Sequence, residues 1–253
     1  MNFLSQLKQR NSLLYSFGLF NIAVGIICLA LMQTENAYIL GVSRWLKPMK
    51  FYLSVGIMVL TMGCLLYYLN DNKKIKRFSW MIVLTMFFEN GLILLQAIRK
   101  TTSHYNTSTS FNGIVFNLMG VLILIFTITV IRIFISFFRQ KQFVINDAYV
   151  WGIRLGLLLF IIFSLEGGVM IGLLKHTVGG PDGSPGLPLV NWSTEYGDLR
   201  IAHFIGLHSL QVLPLFGNYI SKNKTQTVAF SIVYFIITAL LFIRALNKIP
   251  LFF

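Results

Sequence analysis

The chain has 253 residues, of which 56% are hydrophobic, 15% aromatic and only 11% charged. A soluble domain carries about 25% charged residues, so this composition excludes a normally hydrated globular surface, a disordered chain and a small disulfide scaffold. The formal net charge of +13 is spread in twos and fours between apolar runs. That is the pattern of loops held against an anionic leaflet, and it requires no nucleic-acid partner.

A helix needs about 20 apolar residues to cross the hydrocarbon, because each backbone polar group must be satisfied within the segment. Seven runs meet this requirement: 13–32, 51–69, 78–98, 111–131, 155–174, 201–220 and 227–244. They are apolar all round without period-two alternation, which excludes a β-barrel. The first run is too long for a signal-peptide core and lacks a small-residue cleavage site, so it reads as a retained span. Cys28 and Cys64 lie in the first two runs at different depths, and no disulfide is expected between them. The connection 33–50 has room for an interfacial segment, with Trp45 at headgroup level.

The expected fold is therefore all-α, a seven-transmembrane-helix bundle forming a single integral membrane domain over 1–253, in the inner (cytoplasmic) membrane. Twelve Lys and Arg fall on the N-terminal side and nine on the other, with a tight basic cluster at 72–77. This places the N-terminus in the cytoplasm. The longest connection, 175–199, packs Gly and Pro too densely around 176–188 to be helical. Val178, Leu187, Leu189 and Trp192 offer it apolar anchors, so an ordered extracytoplasmic lid is expected between the fifth and sixth spans.

Ionisable residues inside a span are costly unless paired, which makes them functional candidates. Glu89, Glu166 and His208 stand out. At about 1.5 Å of rise per residue, each lies about 12–13 Å below the outer end of its helix. Gln96 shares a helix face with Glu89, two turns away. Arg99, His104, His176, Asp198, Arg200 and His203 fall at the outer boundary, and Asp182 and Gln211 complete the candidate pocket. Each residue also has a structural reading. Asp198 suits an N-cap that Arg200 pairs with. Gly168 and Gly172 suit close helix packing. His208 suits a carbonyl freed by Pro214.

Three chemistries fit such a set. Metal ligation by His176, His203 and His208, or by two imidazoles and a carboxylate, with an open position would suit zinc or iron. The spacing from His203 to His208 turns the two rings about 140° apart on a regular helix, so a shared ion needs another helix or a π-bulge at Gly206. Non-covalent haem b is the second possibility. The third is a proton relay through Glu89, Glu166 and His208, against which stands the scarcity of charged groups in the inner half of every span. A retinal Schiff base is excluded, because the seventh run has no lysine.

The segments Lys47-Pro-Met-Lys-Phe51, Ser103-His-Tyr-Asn106, Pro181-Asp-Gly-Ser-Pro-Gly-Leu-Pro188 and Gly197-Asp-Leu-Arg-Ile-Ala-His-Phe-Ile-Gly-Leu-His208 resemble those of a family of uncharacterised bacterial multi-pass membrane proteins. The likeness runs from about Lys47 to Gly217. It implies a site on the outer face and supplies no reaction. Seven spans with several histidines are also similar in architecture to the zinc-dependent alkaline ceramidases, whose HxxxH pair is not matched here.

Together these readings lead to an outward-facing site acting on a lipophilic or membrane-proximal small molecule. His176, His203 and His208 would be ligands, Glu89 and Glu166 ligands or proton acceptors, and Arg200 and Arg99 would stabilise negative charge. A proton-coupled transporter using the same carboxylates is the alternative, and a purely structural subunit the third reading.

Overall fold

The first long apolar run begins only after Asn11, whose side chain accepts a hydrogen bond from the Leu14 amide and so starts the helix. In the computed structural model, which describes residues 3–252, that helix is α2 (Ser12–Thr34). The chain continues through α3 (Leu46–Leu66), α4 (Asn72–Ile98), α5 (Ser110–Arg139), α6 (Asp147–Leu173), α7 (Leu199–Tyr219) and α8 (Lys224–Leu246). These seven helices are long and apolar enough to cross a membrane. Ile26, Ile27, Leu118, Ile236 and Leu240 are among many large apolar side chains left exposed on them. Such a surface calls for lipid. A short amphipathic helix, α1 (Phe3–Arg10), precedes them. It was not expected from the sequence, and it inserts Leu7 against Gly63 of α3.

Helix ends follow local chemistry more closely than hydropathy. Asp71, Asn146 and Asn223 cap α4, α6 and α8 through their side chains. The second span starts at Leu46, five residues before the expected boundary, because Pro48 falls in the first turn, where its missing N–H costs nothing. The segment before it is a two-stranded hairpin, β1 (Tyr38–Ile39) and β2 (Val42–Ser43). Its turn places Leu40 and Gly41 at positive φ, the geometry of a two-residue hairpin loop.

The chain divides within α5 into two compact units, Met1–Ile133 and Phe134–Phe253. In the first unit, α2 and α3 approach closely at glycines: a Cβ on Gly18 or Gly25 would strike Leu60 or Leu53 of α3. In the second, α6 and α7 touch backbone to backbone. A Cβ on Gly152 would lie 2.5 Å from the Leu213 carbonyl oxygen, and one on Gly156 would lie 2.9 Å from that of Ser209. Gly168 and Gly172, which the sequence offered as the packing face, have nothing within 4 Å of a built Cβ. The small residues that permit close helix approach are others on the same helix.

The connection from α6 to α7 is not helical. It pairs β3 (Thr177–Val178) with β4 (Gly197–Asp198) and adds a bridge between Gly186 and Ser193. Gly197 lies directly against the backbone of Ala245 on α8, with no room for a side chain.

Candidate functional site

Each unit carries its own buried glutamate. In the first, α4 turns Ser79, Thr85, Glu89, Asn90 and Gln96 to its buried face. Glu89 is 1% exposed, and neither carboxyl oxygen has a hydrogen-bond partner. Its nearest ionisable neighbour is His104, whose Nε2 stands 4.0 Å from Oε1. His104 enters from the α4–α5 loop, fixed by a 3.0 Å contact between its Nδ1 and the Ser103 hydroxyl. Its ring packs at 5.6 Å on Phe51, above which Lys47 Nζ lies at 5.8 Å. Residues of two segments singled out in the sequence, 47–51 and 103–106, thus meet beside Glu89.

Neutral polar residues make further contacts along the buried face of α4. Asn90 donates to Asn21 Oδ1 at 2.8 Å, and Asn21 donates to the Phe17 carbonyl. Towards the start of α4, Asn11 donates to Ser79 at 2.8 Å. Towards its end, Arg99 donates to Gln96 at 2.7 Å and to Asn112 at 3.0 Å and stacks over Phe111. Arg99 is thereby engaged within the protein. The missed residues are neutral amides and hydroxyls. Asn21 and Asn90 inside apolar runs were the signal that could have revealed them.

In the second unit Glu166, on α6, is 7% exposed and likewise has both oxygens unpartnered. Its imidazole neighbour is His203 of α7, with Nδ1 at 3.8 Å from Oε2. The His203 ring lies beside Gly167, where a Cβ would meet Cε1 at 3.4 Å, an ordinary van der Waals contact. His208, which depth counting had grouped with the glutamates, faces Gln211 at 3.1 Å. Its ring also packs at a tilt against Phe204, with centroids 4.3 Å apart, and Phe204 in turn meets Trp192 of the loop.

The loop residues have structural engagements. Asp182 accepts from the Thr177 amide at 2.9 Å and pairs with His176 Nδ1 at 3.0 Å, closing the turn around 176–182. Asp198 is the N-cap of α7, as its position in the sequence implied. It accepts from the Ser193 amide at 2.8 Å and from Arg200 Nε at 2.9 Å. Burial pushes the Asp198 carboxyl upward, but the Arg200 guanidinium and the Ser193 amide outweigh it and hold it below the ordinary aspartate value. Arg200 also donates to the Asn191 carbonyl, so its guanidinium fastens the loop to the start of α7.

The structure does not bring the three expected histidine ligands together. Among the described residues no group of three or more His, Cys, Asp or Glu is placed to hold a metal ion. The reason is local. α7 is a regular helix through Gly206, so no π-bulge brings His203 and His208 to one side. Phe163 fills the space beside Gly206, and Asp182 holds His176 in the loop. Zinc or iron ligation by His176, His203 and His208 is left without a ligand set.

Compared with family models, with curated proteins and with solved structures, the chain matches none.

Proposed function

We propose that this multi-pass helical membrane protein is a proton-coupled carrier of a small molecule, with one carboxylate–imidazole exchange site in each unit. The observation that carries the reading is the pair of buried glutamates with unpartnered oxygens, each within 4.0 Å of a histidine. In hydrocarbon a carboxyl is stable as the neutral acid and becomes a carboxylate only beside a cation. An imidazole at this distance supplies that cation. A small side-chain rotation closes the gap, the proton passes from carboxyl to ring nitrogen, and a buried ion pair replaces two neutral groups. Neutral polar residues support the reading further. Ser79, Thr85, Asn90 and Gln96 lie along the buried face of α4 through most of its length, supplying polar positions where charged residues are scarce.

The test is electrical. Proteoliposomes on a solid-supported membrane should give transient currents after pH jumps. Glu89→Gln and Glu166→Gln should each reduce the charge moved, and the double variant should abolish it. Pools of small metabolites applied as concentration jumps then identify the solute. Currents of wild-type size from the double variant would overturn the reading.

A second reading is favoured by the origin of His104 in a loop and of Lys47 in the first turn of α3. It is a one-sided site that binds a lipophilic or membrane-proximal small molecule near the bilayer surface. This reading expects saturable binding without charge movement.

A further inference from the structure

The first unit contains an open groove of about 220 Å³ between α4 and α5. It is well above the about 10–15 Å³ that admits one water. The two helices touch near one end, where Ile93 packs against Val115 and Met119, and the groove lies towards the other. It is lined by the apolar Phe78, Met81, Ile125 and Ile128 and, nearest the start of α4 and the end of α5, by Arg77 and Arg132. Thr129 adds no free donor, because its hydroxyl already donates to the Ile125 carbonyl at 2.9 Å.

The charge arrangement at this end is unusual for a helix. Lys73, Lys74, Lys76 and Arg77 all lie in the first two turns of α4, against the positive end of the helix dipole, which favours anions and repels cations. Asp71 compensates Lys74 at 3.2 Å, and no acidic side chain pairs with Arg77 among the described residues. An apolar channel that ends at two guanidiniums matches one ligand chemistry: a phosphodiester joined to a hydrocarbon chain. Guanidinium binds phosphate oxygens through several parallel donors. The channel takes up a chain that water would wet poorly.

We propose that the α4–α5 groove is a specific binding site for an anionic phospholipid, with Arg77 and Arg132 holding the headgroup phosphate and Phe78, Met81, Ile125 and Ile128 lining one acyl chain. The site is independent of the carboxylate–imidazole pairs and stands or falls without them.

Native mass spectrometry of the full-length protein released from mixed micelles tests this with dioleoylphosphatidylglycerol and dioleoylphosphatidylcholine as probes. The expected result is at least tenfold preferential retention of one phosphatidylglycerol. This preference should fall below twofold in Arg77→Ala/Arg132→Ala and persist in Lys73→Ala/Lys76→Ala, which removes the same charge outside the groove. Met81→Trp, which fills the apolar channel and keeps both arginines, should also lose the adduct. Equal loss in the two charge variants would show diffuse attraction and overturn the proposal. Displacement of the lipid by glycerophosphoglycerol or inorganic phosphate would identify a bare anion site and would overturn it equally. Unchanged melting temperatures in the variants confirm that a lost adduct is not a lost fold.

Discussion

His203 Nδ1 stands 3.8 Å from Glu166 Oε2 between α6 and α7, and neither atom has a hydrogen-bond partner. The gap exceeds the 2.7–3.2 Å of a hydrogen bond, so two groups able to share a proton are held just short of doing so. A carboxyl kept only to glue two helices would be expected to close this contact. In the other unit Glu89, with both carboxyl oxygens unpartnered, likewise faces an imidazole, His104 Nε2 at 4.0 Å from Oε1.

If these glutamates serve proton exchange, the isosteric amide should spare the fold and remove the function. Glu166→Gln is expected to change the melting temperature by less than about 2 °C, corresponding to well under about 1 kcal/mol. Glu166→Ala, which opens a cavity in the buried face of α6, should cost about 2 kcal/mol or more. Thermal unfolding in detergent, read beside the pH-jump currents, checks both. A Gln variant as destabilised as the Ala variant would indicate a structural carboxyl.

The glycines of α6 and α7 should separate sharply. Gly217→Ala places a methyl on the Ala148 carbonyl, and backbone cannot retreat as a flexible side chain can. A loss of about 1–3 kcal/mol is expected. Gly168→Ala meets nothing within 4 Å and gains helix propensity, so it should be neutral or stabilising by up to about 1 kcal/mol. Comparison of the two melting temperatures decides the matter, and a Gly168→Ala variant that unfolds early would place a packing partner there.

Asp198 predicts a particular acid sensitivity. Its folded value lies below the ordinary 3.8, so the stability it contributes is fully present above pH 3.8 and is lost as pH falls through the lower folded value. Glu35 and Asp71 are also depressed, Glu35 chiefly by its hydrogen bond from Arg44 and Asp71 chiefly by the Lys74 amide. The contribution of Asp198 must therefore be read as a difference. Asp198→Asn keeps a capping side chain but leaves Arg200 without its counter-ion. It should cost on the order of 3 kcal/mol near neutrality, and its stability curve should be flatter than that of the wild type below pH 3.8. Parallel curves in that range would mean that the carboxylate makes no net contribution.

Asn21 and Asn90 form the buried amide contact between α2 and α4. Asn21→Leu removes the acceptor and strands the Asn90 amide, which should cost about 1–3 kcal/mol. The double variant Asn21→Leu/Asn90→Leu should recover part of that loss, with a coupling of about 0.6–1.7 kcal/mol, as found for hydrogen bonds between membrane helices. A double-mutant cycle by chemical denaturation measures it. Strict additivity would show that the two amides do not depend on each other.

The sequence by itself determined the number of spans, the absence of a barrel and the non-helical connection between α6 and α7. Each is dictated by the cost of unsatisfied backbone in lipid or by the backbone limits of Gly and Pro. It also identified Glu89 and Glu166 as the costly residues and Asp198 as a cap, because burial cost and capping are properties of one residue in one segment. Only the tertiary structure decided their partners. Glu166 faces His203, His208 faces Gln211, and Arg200 is taken up by Asp198 and Asn191. Depth along an axis is a single coordinate, and hydropathy constrains it well. The rotation of each helix about that axis is set by which glycines admit a neighbouring backbone. In α6 those are Gly152 and Gly156, which local pattern does not distinguish from Gly168 and Gly172.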